Sequence, residues 1–457
     1  YVIADRYLAR NPYVPTPNPI RFVLPPNSPE VFPASRPEKR FHSFKEAGHF
    51  TSACGGVIYG DQRLFPASSK FHAFTCEPFH NLIQHNILID DGVSFRSERP
   101  SGEGPFDFFA SEDRWCRPVM ARTGPDGGLW IADMVRYMIE HPDWLPPEGK
   151  SELLPHYRLG DDRGRIYRIV PEDQGHRGDQ GHSGDRVNRA QAAMADWAFA
   201  DRQAATLVSA LDSPNDWRRD KAQQMLLWSR DPAAVPLLER LFRSTQRAEA
   251  RMQALFTLEG FDSLSEELII AALRDPHPRV RENAIRLAED HSSPNIIAAA
   301  LLLDDDSDAK VCCQLALTLG QWKSAEAGRA LVKLSERFYQ DAFMTSAIMS
   351  SALTHAPAFA QGIADSEPQV LATFREPLVR QAVGAQDFAV IAMLLSKAQE
   401  AFDRNQLAVL DDFLVTLQRL GTSLERLASA DASGRLEALT RQVDQSLLTM
   451  VAVSQDE

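Results

Sequence analysis

The chain has no C-x-x-C pair, no run of about 18 apolar residues and no dense Lys/Arg cluster. The first absence removes c-type haem attachment and a zinc knuckle. The second leaves no helix able to span a bilayer. The third stands beside 49 Lys and Arg against 62 Asp and Glu, a net charge of −13. Nothing here can neutralise a phosphate backbone, so nucleic acid is excluded as a partner and a small neutral substrate fits better than a polyanion. G-x-S-x-G, H-E-x-x-H, Walker and G-x-G-x-x-G patterns are also missing, so no familiar hydrolase or nucleotide-enzyme motif is present.

Cysteine is scarce, five residues in 457. Cys54 begins one β-prone run and Cys76 ends another, and in an antiparallel pair those two ends meet. Either a Cys54–Cys76 disulfide, in an oxidising compartment, or two buried thiols is compatible with this placement. Cys116 is single, and the adjacent Cys312 and Cys313 sit in a helical pattern as core filler.

The most informative stretch present is residues 115–134, WCRPVMARTGPDGGLWIADM. Residues 119–123 and 129–132 read as strands joined by a Gly-Pro-Asp-Gly turn, where proline presets φ and glycine supplies φ > 0. Residues 164–170, GRIYRIV, supply an outer strand. Upstream, residues 55–60, 71–76 and 81–90 repeat the design. Two such units are two propeller blades, and a propeller needs at least about four to close. The chain, which opens on Tyr1 without Met or a signal peptide, is therefore expected to be the end of a larger protein.

Nine prolines within residues 1–50 forbid a continuous helix, so this segment is expected as an extended lead-in packed on the propeller. Residues 51–170 are the two blades, with an insertion over 135–162 that forms a short helix and loop. Residues 171–188, glycine-rich and nearly devoid of apolar side chains, read as a flexible linker. Then the pattern turns helical. Ala222, Ala254, Ala284, Ala316 and Ala347 recur at spacings of 32, 30, 32 and 31 residues, and Arg219, Arg251 and Arg281 each precede an alanine by three. Small residues are needed where paired helices cross closely, and a period near 30 marks a stacked solenoid. Residues 189–360 are expected to form HEAT-like repeats, and 361–457 closing helices, chiefly over 403–427 and 436–453.

Channel-facing strand ends of a propeller collect polar side chains. In the first blade these are His49, Ser52, Glu77, His80 and Asn81; in the second, Arg117, Arg122, Asp133, Arg136, Glu140 and His141. Each has a structural alternative. The arginines could pair with Asp126, Asp133 or Glu140 at a blade edge, Asp133 could cap a helix starting near Met134, and the histidines could be hydrogen-bonded core residues.

The runs HFTSACGGVIYG, FTCEPFHNLIQHNIL, RPVMARTGPDGGLWIADMVRYMIEHP and DRGRIYRIVPE, followed by the helical repeat, resemble the membrane-bound dehydrogenase family of planctomycetes and verrucomicrobia. DRYLARNPY and VFPASRPEKRF look like the same family, and the resemblance covers residues 1 to about 340. It implies a six-bladed propeller similar to glucose and sorbosone dehydrogenases, of which only the last blades lie here, followed by an α-solenoid of HEAT-like repeats. It further implies an extracytoplasmic (periplasmic or membrane-associated) dehydrogenase that oxidises a sugar or alcohol with pyrroloquinoline quinone and calcium, while the solenoid docks a protein partner or electron acceptor. Arg117 matches the arginine that faces the quinone in the related sugar dehydrogenases; Glu77 and His80 occupy, without identity, a second cofactor-contacting stretch, and Arg122, in the same blade as Arg117, is a further cofactor-binding candidate. His49, Ser52, Asn81, Asp133, Arg136 and His141 would line the substrate pocket. The catalytic base and metal ligands belong to earlier blades. The rival expectation is a carbohydrate-binding or protein-interaction scaffold without catalysis.

Overall fold

The computed structural model describes residues 3–14, 29–36, 48–171, 199, 201–399 and 413–441, apart from 67, 69, 140, 142, 144, 146 and 439. Glu140, most of the expected linker and much of the expected closing helices lie outside this set. The architecture is antiparallel sheet in the first part and helices thereafter. By contact the chain separates into two units, one of residues 22–91 and 95–264, the other of residues 1–21, 92–94 and 265–457.

In the first unit, β1 (Cys54–Ile58), β2 (Phe71–Glu77), β3 (Leu82–Asp91) and β4 (Ser94–Glu98) pair in sequence order, and β5 (Phe109–Ala110) pairs with β3. A second sheet has the order β6 (Pro118–Thr123), β7 (Leu129–Asp133) and β8 (Arg165–Ile169). Both follow the expected strand triplets to within one or two residues. The Gly-Pro-Asp-Gly turn closes β6 onto β7 as expected, with Gly127 at φ +75°. Alternation along the strands puts Tyr59, Phe74, Cys76, Ile83, Ala121, Leu129 and Ile131 into one shared core. Sequence reading missed β4 and β5, short strands without a clear period-2 pattern. The insertion carries its helix over Pro147–Leu153. No helix starts near Met134; Asp133 Oδ1 instead accepts the Val135 amide at 2.9 Å, closing a turn in which Val135 has φ +52°. The helices Asp216–Ser229, Ala234–Ser244 and Ala248–Gly260 belong to the same unit.

The second unit is a solenoid-like run of paired helices from Glu266–Leu273 to Phe388–Gln399, with Leu424–Ala430 beyond. The five periodic alanines, spread over both units, are all fully buried. The three arginines that accompany them share one contact. Each sends Nη1 back to the carbonyl six residues earlier: Arg219 to Ser213 at 2.9 Å, Arg251 to Thr245 at 3.1 Å and Arg281 to Asp275 at 2.9 Å. The bracket locks the turn before each helix, which explains the recurrence of the residue type.

The lead-in divides between the units. Residues 3–14 pack on helices of the second unit: Tyr7 donates its hydroxyl to Glu289 at 2.6 Å, and Asn11 Nδ2 donates to the Met349 carbonyl at 2.7 Å. Residues 29–36 run beside the first sheet, with Glu30 bridged to His49.

Candidate functional site

Six expected site residues gather at the ends of the two sheets. Arg117, at the mouth of β6 and 4% exposed, spends its guanidinium on main-chain carbonyls. Nη1 donates to Pro78 at 2.9 Å and Phe79 at 3.2 Å, Nη2 to Tyr137 at 2.9 Å and Nε to Arg136 at 3.1 Å. A planar fork in a ring of carbonyls is a stable way to hold a buried cation. Its own amide donates to Asp133 Oδ1 at 2.7 Å, and Asp133 Oδ2 accepts from Arg165 Nε at 2.8 Å. Arg165 in turn pairs with Asp113. Asn81 answers from the first sheet: Nδ2 donates to the Cys116 and Arg114 carbonyls at 2.6 and 3.2 Å. It adopts φ +60°, a conformation asparagine tolerates, so the β2–β3 turn presents that amide.

Glu77 ends β2 fully buried and is bound from outside the strand. Its carboxylate accepts the Ser52 amide at 2.9 Å, the Thr51 amide at 3.2 Å and the Thr51 hydroxyl at 3.2 Å. His80 Nδ1 lies 3.6 Å from Glu77 Oε1, and His80 Nε2 accepts the Gly48 amide at 3.2 Å. Ser52 thus meets Glu77 through its main chain, and His49 lies in the same short segment. Arg136 Nη1 donates to the Met134 and Val135 carbonyls, both at 3.0 Å. Cys116, in the same region, is pushed up to about 12, first by burial and then by the Asp133 charge.

Two expected residues lie elsewhere. Arg122, at the far end of β6, lines a groove of about 540 Å³ with Trp130, Asp216, Trp217 and Lys221. His141 is exposed and faces Asp143 at 3.6 Å. A second polar groove, about 880 Å³, is lined by Asp61, Arg63, Asp126, Thr206, Asn215 and Arg218. Asp126 is held below the usual carboxylate range: burial opposes ionisation, but hydrogen bonds from Trp130 and Arg168 outweigh it. Sequence reading missed Asp113, Arg165 and this groove, because charged residues on an outer strand and a loop have no period to reveal them.

The arrangement holds its polar groups on one another. A quinone carbonyl or carboxylate could reach Arg117 only by displacing backbone carbonyls from it, and Glu77 is already bound by Thr51 and Ser52. These residues do not fit a quinone-contacting role as they stand. Among the described residues, no three His, Cys, Asp or Glu side chains gather as a metal ion would require. Cys54 and Cys76 are direct Cα partners across β1 and β2, and both are thiols in this structure.

Residues 1–173 match a domain of unknown function, DUF7133, which spans less than half of the chain. No curated relative matches the chain. Among the described residues, no helix is long and apolar enough to cross a membrane.

Proposed function

We propose that this chain is part of an extracytoplasmic β-propeller protein, its sheets two blades of a six-bladed propeller and its helices a HEAT-like solenoid. In this reading the chain works as a scaffold. It braces the propeller and docks a protein partner, and it contributes no group to redox chemistry. The observation that carries the reading is the Arg117 clamp, in which the one arginine placed to meet a cofactor serves main-chain carbonyls instead. The recurring arginine-to-carbonyl bracket supports the HEAT-like assignment. A sugar bound without chemistry would suit the 880 Å³ groove, whose carboxylates and amide present hydroxyl-binding groups.

A second reading keeps the sugar or alcohol dehydrogenase. The buried Glu77–His80 pair at 3.6 Å, beside the clamp, favours it, because a carboxylate next to an imidazole can serve proton transfer. Pyrroloquinoline quinone and Ca²⁺ would then be held by other parts of the protein. The deciding experiment titrates the purified chain with that quinone plus Ca²⁺, followed by calorimetry and by dye reduction with glucose. The scaffold reading expects neither saturable binding nor dye reduction. Saturable quinone binding lost in a folded Arg117→Lys variant would overturn it.

A further inference from the structure

The first sheet carries a polar relay that the proposed function leaves unused, and what is drawn from it does not rest on that reading. β2 and β3 pair His72 with Ile87 and Phe74 with His85, so the two histidines lie diagonally on one face. His72 Nδ1 is 2.9 Å from His85 Nε2. His85 Nδ1 lies 2.7 Å from Glu103 Oε1, and at the other end His72 Nε2 lies 2.7 Å from the Ser68 hydroxyl. Both imidazoles are buried, His72 7% and His85 3% exposed.

The partners assign every proton. An ionised carboxylate only accepts, so His85 carries its hydrogen on Nδ1 and offers a lone pair at Nε2. His72 must then donate from Nδ1, which leaves its Nε2 as the acceptor facing Ser68. The Ser68 oxygen already accepts the Lys70 amide at 3.1 Å, so its own hydrogen turns to His72. All four links run in one direction. Arg99 Nε, 3.4 Å from Glu103 Oε2 and 3.3 Å from Asp107, braces the carboxylate end. Phe65 stacks on His72 with centroids 3.8 Å apart at 4°, and Phe74 on His85 at 4.7 Å and 14°, fixing both ring planes. Ser68 itself is half-buried in the loop before β2, and the base behind it is buried. A nucleophile held by a base that is oriented in turn by a carboxylate is the arrangement of acyl-transfer catalysis, here with one extra imidazole.

We propose that Ser68 is a nucleophilic serine, activated by His72 through His85 and Glu103, that accepts acyl groups from small esters. Ser68 Oγ bonds to the carbonyl carbon while its hydrogen passes to His72 Nε2. The ester C–O bond breaks, and the alcohol leaves with that hydrogen. Water then attacks the acyl carbon as His72 Nε2 takes its proton; the acyl C–Oγ bond breaks, the acid is released, and His72 returns that proton to Ser68 Oγ, restoring both groups. His85 and Glu103 are positioning residues.

The test treats the whole chain with a fluorophosphonate probe and maps adducts by peptide mass spectrometry, with p-nitrophenyl acetate hydrolysis in parallel. The expected result is one dominant adduct, on Ser68, lost in Ser68→Ala and slowed on the order of 100-fold or more in His72→Gln. Glu103→Gln should slow it as well, because an amide lets His85 take the opposite tautomer. The wild-type labelling rate should hold from neutral pH to about pH 5, since burial, His85 and Lys70 push His72 down to about 4. Labelling of Ser68 no faster than of other serines in the same wild-type map would overturn the proposal, whatever the variants do. Equal rates in wild type and a folded His72→Gln would overturn it too.

Discussion

Arg117 Nη1, at the head of β6, donates to the Pro78 carbonyl at 2.9 Å and so ties the second sheet to the β2–β3 turn of the first. Asn81 returns the link through the Cys116 carbonyl at 2.6 Å. Removing the guanidinium leaves four carbonyls with lost partners, two in buried contacts and two in part-buried ones, together a loss of roughly 3 kcal/mol or more. Arg117→Ala should therefore destabilise the first unit by about 3 kcal/mol or more, and Arg117→Lys should recover only part, since an ammonium cannot follow the planar fork. Urea unfolding checks this; a change below about 0.5 kcal/mol for Arg117→Ala would refute the clamp.

His72 makes stability depend on acid. Burial first, then His85 and Lys70, lower its pKa to about 4 from an ordinary 6.5. Above pH 6.5 the imidazole is neutral in folded and unfolded chains alike, and stability is at its full value. As the pH falls from 6.5 toward 4, the unfolded chain takes a proton that the folded one refuses, and stability drops. The loss approaches about 3 kcal/mol at most by pH 4. His72→Gln should flatten that limb of the stability curve measured by chemical denaturation between pH 4 and 7, whereas an unchanged slope would show that His72 titrates normally.

Cys54 and Cys76 stand as register partners, and burial raises both thiols, Cys76 to about 12. Both should alkylate slowly near neutral pH in the native protein, because little thiolate forms. Under an oxidising glutathione buffer they should join, closing a loop whose constraint is worth about 3 kcal/mol. Cys116, Cys312 and Cys313, all buried, should stay reduced. Non-reducing peptide mapping reads all five, and a bridge involving Cys116 in place of Cys54 would contradict the register.

Arg281 combines two carbonyl bonds with a two-pronged pair to Asp306 at 2.7 and 2.8 Å, and this pairing is the first cause of its raised pKa. Arg281→Ala should lower stability of the helical unit by about 2 kcal/mol. Arg281→Lys should rescue less than half, a fork being replaced by a point charge. Thermal unfolding of the two variants decides; equal midpoints for Lys and wild type would show that only charge matters.

Much of the fold was legible because its signals are local. Strand triplets bounded by glycine and proline, and alanines recurring near every thirty residues, survive in a linear reading, and the sheets and helices follow them closely. The candidate site was legible only as a list of strand ends. Arg117, Glu77, His80, Asn81, Asp133 and Arg136 do come together, but the spacing said nothing about whether their polar atoms would point outward or bind each other. Arg122 and His141 looked equivalent to them in sequence and lie apart, because Arg122 sits at the opposite end of β6 from Arg117 and His141 falls well past the end of β7.

By itself the sequence determined which segments form strands and helices, where the turns fall and where small residues and arginines recur, since each depends on residues within a few positions of one another. Tertiary structure alone decided that Arg117 would be enclosed by carbonyls from two separate segments, 78–79 and 136–137, and that the register of β2 on β3 would bring His72 onto His85. The reason is one of range: a carbonyl ring and a diagonal cross-strand contact are built from groups distant in the chain, and a one-residue slip would turn those side chains to the opposite face.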